Sequence, residues 1–272
     1  MKKLLILGAS GLIGKALIEE CKDDFDVYGT YFSTTSKLPD DKQYQLELQQ
    51  LDKLKEIVRS IKPDIIVSCL RGDFDQQLEF HKQLALEIQS CQTNLYFLST
   101  ANVFDGDFSR IHTEIDMPNA NSDYGKYKIE CEKTLTQILD ERVSMIRIPA
   151  IWGKESPRMR LIKESIEKNQ VIDVFSNLEC NNLLDTQLAK QLRFIFENEL
   201  KGIFHFGSVD RMTQGEFFEK VIKTISAESN ILKFNLYEDT EDTFYFGLSS
   251  IRNDIPDTLK STNESILSYL VD

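Results

Sequence analysis

Leu4-Leu5-Ile6-Leu7-Gly8-Ala9-Ser10-Gly11-Leu12-Ile13-Gly14 decides the fold, because a short apolar run opens directly into three glycines spaced three apart, and a helical pattern follows. The run reads as a strand, the glycines as a tight turn, and the segment from about Gly14 to Asp23 as a helix. Glycine lets the backbone turn sharply and approach a ligand with no Cβ in the way, and the start of the next helix presents unpaired N–H groups carrying partial positive charge. This geometry suits a diphosphate. The expected ligand is therefore a dinucleotide, with Gly8, Ser10, Gly11, Leu12, Ile13 and Gly14 around it.

Beyond this stretch, strand-like runs alternate with helical patterns: Asp26–Tyr31, Tyr44–Leu48, Asp64–Leu70, Asn94–Ser99 and Val143–Ile148 are separated by helix candidates at Leu51–Ile61, Gln76–Ser90 and Tyr124–Leu139. Such alternation predicts an α/β fold, a Rossmann-type doubly wound parallel sheet. After Gly153 the pattern loosens into a basic helical segment at Arg158–Lys168, an irregular stretch at Asn177–Asn182, a helix at Asp185–Glu199 and one more sheet strand at Gly202–Gly207. A helix at Gln214–Ile225 and a closing helix near Ser261–Leu270 follow. The expected organisation is a dinucleotide-binding domain over 1–152, with 183–208 returning to it, and a smaller interleaved α/β substrate-binding cap from 153–182 and 209–272.

Length and composition narrow the classes. At 272 residues, with 41% hydrophobic and 28% charged residues, the chain can bury a full core. No apolar run approaches the roughly 20 residues that span a bilayer, so a membrane is not expected as a partner. Met1-Lys2-Lys3 precedes an apolar run as in a leader, but the glycine turn interrupts it, which reads as the first strand of a cytoplasmic protein. The net charge of −12 repels polyanions, so nucleic acid is not expected either. Five scattered cysteines without C-x-x-C spacing, and His81, His112 and His205 far apart, suggest neither a disulfide framework nor a metal site. Structural or surface duty is the expectation for all three histidines.

A second signal is Tyr124-Gly125-Lys126-Tyr127-Lys128, which places Tyr124 and Lys128 on one helical face. A free phenol has a pKa near 10, and a cation beside it favours ionisation, so Tyr124 reads as a general acid and Lys128 as its cation and a donor to a cofactor ribose. Ser99-Thr100 ends a strand at the carboxyl edge, where open parallel sheets bind ligands, and a hydroxyl there can hold a substrate carbonyl against Tyr124.

With GASGLIG at the start, Ser99-Thr100 after the fifth strand and YGKYK 24 residues beyond Thr100, the chain resembles the extended short-chain dehydrogenase/reductase family over essentially its whole length. Within it the likeness is to the dTDP-4-dehydrorhamnose reductases, carried by Ser99 to Gly106, the Glu114 to Lys128 stretch, Arg147, Trp152-Gly153 and Gly202-Ile203-Phe204-His205. The resemblance implies a catalytic triad of Thr100, Tyr124 and Lys128. It also implies reduction of a keto group on a nucleotide-linked sugar, with hydride from NADP or NAD and the proton from Tyr124. Sugar-nucleotide dehydratases typically carry Asp-Glu after the threonine, whereas Ala101-Asn102 stand here, which argues against dehydration. Two alternatives remain within the likeness: a nucleotide-sugar 4-epimerase, and a non-catalytic NAD(P)-binding subunit resembling the regulatory subunit of methionine adenosyltransferase. A homodimer through the helices at 76–90 and 124–139 is a further expectation from the family.

The chain departs from that family at Cys69-Leu70-Arg71-Gly72, where relatives carry an Asn-Ala-Ala type of segment; Leu70 and Arg71 are expected at the cofactor, Arg71 close to its diphosphate or to the substrate. Asn102, in a replaced Asp-Tyr pair, is an expected substrate contact. The end of the second strand offers no acid for a ribose, which favours NADP, with Tyr31, Ser33, Thr34 and Lys37 as candidate contacts and Glu47 near the adenine. Lys154, Arg158, Arg160 and Lys163 cluster in an acidic chain. Of these Arg158 and Arg160 are candidate contacts for a substrate diphosphate, with Asn181 and Asn182 as candidate sugar contacts.

Overall fold

In a computed structural model that describes residues 1–226 and 230–271, the opening stretch forms β1 (Lys3–Leu7) and α1 (Leu12–Cys21). The chain continues through β2 (Asp26–Tyr31), β3 (Gln43–Gln45), α2 (Leu51–Ile61), β4 (Ile65–Ser68), α3 (Phe74–Ile88), β5 (Asn94–Thr100), α4 (Asp123–Leu139) and β6 (Val143–Ile148). It then leaves the sheet with β7 (Ala150–Trp152), α5 (Pro157–Glu167), β8 (Ile172–Phe175), β9 (Leu178–Cys180) and β10 (Asn182–Leu184). It returns with α6 (Asp185–Glu197) and β11 (Ile203–His205), and closes with β12 (Met212–Thr213), α7 (Gln214–Ile225), β13 (Leu232–Asn235), β14 (Phe244–Phe246) and α8 (Asn263–Val271).

Seven parallel strands run in the order β11-β6-β5-β4-β1-β2-β3. Because strand side chains alternate, β1 feeds both faces of this sheet. Leu4 and Ile6 pack with α1 and α6, while Leu5 and Leu7 pack with α2, α3 and α4. Burial on both faces explains why β1 and β4 are nearly unbroken apolar runs. Helix α2 shows the complementary rule: Leu54, Ile57, Val58 and Ile61 recur at three and four residues and are its buried set. It ends at Lys62, whose left-handed conformation (φ 53°) precedes Pro63.

Strand order reverses between β1 and β4, so their connections diverge to opposite faces and leave a crevice at the carboxyl edge. Beyond the sheet sit α5, α7 and α8 with the short pairs β8–β13 and β7–β10 and the three-stranded β12–β9–β14, around a separate core of Trp152, Met159, Ile162, Phe217, Val221 and Ile266.

Three local expectations differ from the structure. The third strand is only Gln43–Gln45, which frees Leu46, Glu47 and Leu48 to turn into the crevice. The stretch expected to be irregular at Asn177–Asn182 contains β9 and the start of β10, because backbone partners come from β14 and β7, far away in sequence. The helix expected from Gln76 begins at Phe74, since Asp73 caps it by accepting from the Gln76 N–H at 3.0 Å.

Candidate active site

A cleft of about 630 Å³ opens at the reversal of strand order, lined by Gly8, Ser10, Gly11, Leu12, Ile13 and Gly14 from the turn. Tyr31, Glu47, Leu70 and Arg71 line it as well. Gly11 occupies the cap position of α1 with no side-chain bond and no acid in the first turn, so the helix presents its N–H groups and positive pole unneutralised. A Cβ on Gly14 would lie 2.4 Å from the Gly8 carbonyl oxygen, so only glycine lets helix and turn meet this closely. The shape and chemistry of this cleft fit a dinucleotide.

The residues of the expected triad do not line this cleft; they lie together at the end of β5 and in the first turns of α4. Thr100 ends β5 and caps the single helical turn Ala101–Phe104; its hydroxyl accepts from the Asn102 N–H (3.2 Å) and donates to Asn102 Oδ1 (3.0 Å). Helix α4 then starts at Ser122, whose hydroxyl accepts from the Gly125 N–H at 3.0 Å. Asp105 fixes that start by accepting from the backbone N–H groups of Asn121 (2.6 Å) and Ser122 (3.1 Å). A Cβ on Gly125 would fall 2.3 Å from the Asn102 carbonyl oxygen, so this glycine allows α4 to approach the threonine turn and bring Tyr124 beside Thr100.

Lys128 is buried, and its ammonium donates to the Leu98 carbonyl at 2.8 Å while lying 4.4 Å from the centre of the Phe97 ring. Burial pulls its pKa down to about 8, with Cys131, Glu132 and Cys69 opposing and Arg71 adding to the fall. Burial also raises the Tyr124 phenol above its ordinary value, and the Thr100 hydroxyl and the Arg71 charge act the other way. The expected phenolate-favouring effect of Lys128 is not what sets this phenol: the ammonium is 6.0 Å from the Tyr124 ring centre, and the partial burial of a side chain that keeps 37% of its surface exposed acts in the opposite direction. A protonated Tyr124 is the state a proton donor needs.

Behind the triad, Arg147 meets Glu132 through two bonds, Nε to Oε1 at 3.1 Å and NH2 to Oε2 at 2.7 Å, and Ser99 donates to Oε1 at 2.5 Å. All three are buried. The histidines take structural places. His81 Nδ1 faces the Gln77 carbonyl at 2.6 Å and so carries the proton, leaving Nε2 to accept from Ser68 at 2.7 Å. Burial, with Lys128 nearby, lowers its pKa to about 3. His205 is likewise held neutral, Nδ1 against the Ser249 carbonyl at 3.1 Å and Nε2 at 3.3 Å from an Arg147 nitrogen, and burial lowers its pKa.

Several expected contacts are placed elsewhere. Asn181 is buried, donating to the Leu248 carbonyl at 2.8 Å and accepting from the Leu248 N–H at 3.1 Å. Asn182 is buried too, accepting from the Trp152 indole at 2.8 Å and donating to Asn263 at 3.0 Å. Both are corrected from sugar contacts to internal ties, since their amide groups already have partners. Ser33, Thr34 and Lys37 are exposed and none of them lines the cleft, so the expected phosphate contacts are not assembled there; Phe32, 64% exposed, lines it instead. Asn102 has its amide directed to Thr100 and to Asp105 (3.4 Å), which makes it a support for the threonine. Arg160 lines the same cleft as the glycine turn, whereas Arg158 does not line it and lies 5.9 Å from the Trp152 ring centre.

The sequence reading missed Phe74, which stacks on Tyr127 (5.0 Å between centres, 3° between planes) and lies 5.7 Å from Tyr124. Its signal was the Asp73 cap, which starts α3 early enough to project an aromatic over the site. Glu155 and Pro157, just before and at the start of α5, also line the cleft, and no local pattern marks them. Among the described residues no group of His, Cys, Asp or Glu could hold a metal ion, and no helix is long and apolar enough to cross a membrane.

Comparison with known proteins places this geometry. The chain is 25% identical over 245 residues to methionine adenosyltransferase 2 subunit beta of Danio rerio, covering 79% of this chain and 71% of that one. It is 20% identical over 239 residues to a dTDP-4-keto-6-deoxy-D-glucose reductase of Streptomyces niveus, covering 82% and 79%. Its fold matches the crystal structure of a dTDP-4-dehydrorhamnose reductase from Bacillus anthracis in complex with NADP, with a TM-score of 0.80, 18% identity and coverage of 99% and 98%. The family model described as the RmlD substrate binding domain matches residues 1–238, which takes in the glycine turn, the Thr100–Tyr124–Lys128 edge and most of the elements above it, and the chain belongs to that family.

Proposed function

We propose that the protein is an NAD(P)-dependent reductase of a keto group on a nucleotide-linked sugar. The observation that carries this reading is the assembly of Thr100, Tyr124 and Lys128 at the carboxyl end of β5, beside a cleft whose glycine turn and uncapped helix start suit a diphosphate. Glu47 and the aromatic side chains of Tyr31 and Phe32 edge that cleft where the strand order ends, and no acid follows β2, which favours NADP. When bound, the reduced dinucleotide supplies the hydride. Thr100 holds the substrate carbonyl, and Tyr124, a phenol that is protonated at neutral pH, gives its proton to the oxygen as charge develops there. Lys128 supplies positive charge under the phenol, which stabilises the tyrosinate left behind. Phe74 and Tyr127 exclude water from one side of the phenol.

Titration with NADPH and NADH tests the reading directly: one must bind, and the bound form must be oxidised by a nucleotide-linked keto-sugar. Binding of neither would sink it. A second reading rests on the likeness to methionine adenosyltransferase 2 subunit beta, at 25% identity over 79% of the chain. It makes the protein a dinucleotide-binding subunit of a larger enzyme, and it is favoured if NADPH binds but no keto-sugar is turned over and the protein alters the kinetics of a co-purifying enzyme.

A further inference from the structure

A buried cation needs compensation, and two buried cations near the end of β5 find it differently. Arg147 has the Glu132 carboxylate at 2.7 Å. Lys128, also buried, has no carboxylate bonded to it among the described residues, and its ammonium donates to the Leu98 carbonyl. Other titratable and charged groups reach that ammonium from α3, α4 and the segment after β4, yet none brings a free negative charge. Glu132 on α4 is engaged by Arg147 and Ser99. Burial raises the thiols of Cys131 on α4 and Cys69 after β4, to about 11 and about 12, and so keeps them neutral. The Tyr124 phenol and the His81 ring on α3 are neutral as well, and Arg71 repels.

Rings surround the ammonium instead. It lies over Phe97 at 4.4 Å, Tyr127 at 5.4 Å and Tyr124 at 6.0 Å from the ring centres. The face of an aromatic ring carries negative potential that attracts a cation within about 6 Å, most strongly where water is excluded. Two of these rings are themselves held: Phe74 stacks on Tyr127, whose hydroxyl has no hydrogen-bond partner, and the His81 ring meets Phe97 at 4.9 Å and 82°. We propose that Phe97 and Tyr127, with Phe74 stacked on the latter, are positioning residues that hold Lys128 as a cation beside Tyr124. A carboxylate in their place would also hold the ammonium, but it would cancel the field of the lysine where Tyr124 gives up a proton. A ring has no net charge, so the positive charge stays whole for the tyrosinate. That consequence rests on the reductase reading above; the cage itself does not.

The test is an NMR titration of the full chain made with lysine labelled by carbon-13 at Cε, the Lys128 signal being assigned by its absence from Lys128→Arg. Phe97→Leu, Tyr127→Leu and Tyr127→Phe are compared with the wild type and with a chain carrying trifluorinated phenylalanine at position 97. The fluorinated ring keeps its shape and burial and loses the negative potential of its face, so it carries the test if Phe97→Leu does not fold. The Lys128 midpoint is expected to fall by about one pH unit in Phe97→Leu. It should fall by less with the fluorinated ring and in Tyr127→Leu, and stay in place in Tyr127→Phe, which keeps the ring. The alkaline limb of kcat should move to lower pH in step, while NADPH affinity measured below that limb stays within a few-fold of wild type. A midpoint unmoved by the fluorinated ring and by Tyr127→Leu, or one that rises because the rings only kept water out, would overturn the proposal. A falling midpoint in a protein whose wild type turns over no keto-sugar would keep the cage and remove the reductase reading.

Discussion

Two regions of the molecule use the same kinds of polar side chain to opposite ends. At the carboxyl edge of the sheet, hydrogen-bonding capacity stays open: the helix start at Gly11 has no side-chain cap, and Arg71 lines the cleft with no carboxylate bonded to it among the described residues. Around β9, β10 and the loops that cover them, Asn177, Asn181 and Asn182 are buried with their amides bonded to backbone or to neighbouring side chains. Polar residues with open capacity in a cleft mark a site, and polar residues closed on themselves mark a joint. Residue type alone does not separate the two.

The largest expected effect lies in the open region. Tyr124→Phe removes the proton donor and little volume, so turnover should fall about a hundred- to ten-thousand-fold while NADPH affinity stays within a few-fold of wild type. Steady-state kinetics beside a binding titration will measure both, and near-normal turnover would take Tyr124 out of the reaction. In the closed network behind the triad, Glu132→Gln leaves the Arg147 cation buried without its carboxylate. A loss of about 3–5 kcal/mol in stability is expected, read from denaturant unfolding.

Smaller, but sharper for the comparison, is Asn181→Ala. It strips the Leu248 N–H and carbonyl of their partner in a buried place, so stability should fall about 1–3 kcal/mol. Turnover at saturating substrate should hold, because the side chain faces the interior. A raised KM with unchanged stability would return Asn181 to the sugar site.

How much of this was legible follows from which contacts are local. The glycine turn, the Tyr124–Lys128 spacing and Thr100 at a strand end are each set by a few neighbouring residues, so the fold and the placement of the candidate triad could be read from the chain. The state of Asn181 depends on Leu248, and that of Asn182 on Trp152 and Asn263, partners 67, 30 and 81 residues away. No local pattern carries that. Ser33, Thr34 and Lys37 looked suitable by type, yet the short β3 lets Leu46, Glu47 and Leu48 take the wall they would have lined. The segment after β4 was visible as unusual, but that Arg71 shares a cleft with Arg160 depends on where the chain, after leaving the sheet, lays α5.

His81 tests the comparison at its boundary, since it is a closed polar group packed directly beneath the open site. Its ring is held neutral between Gln77 and Ser68, with a pKa lowered to about 3, whereas in the unfolded chain it titrates near 6.5. Below pH 6.5 the unfolded state therefore binds a proton that the folded state refuses, so stability is fully present above that pH and drains away as pH falls towards 3. The slope is about 1.4 kcal/mol per pH unit from this one group. Replacing it by Asn removes that slope while leaving any arising from carboxylates, so urea unfolding of wild type and His81→Asn between pH 7 and 4.5 should converge as acid is added. Parallel curves would mean that the ring takes up a proton in place, that Ser68 and Gln77 do not hold it closed, and that the polar layer under Lys128 belongs with the open region after all.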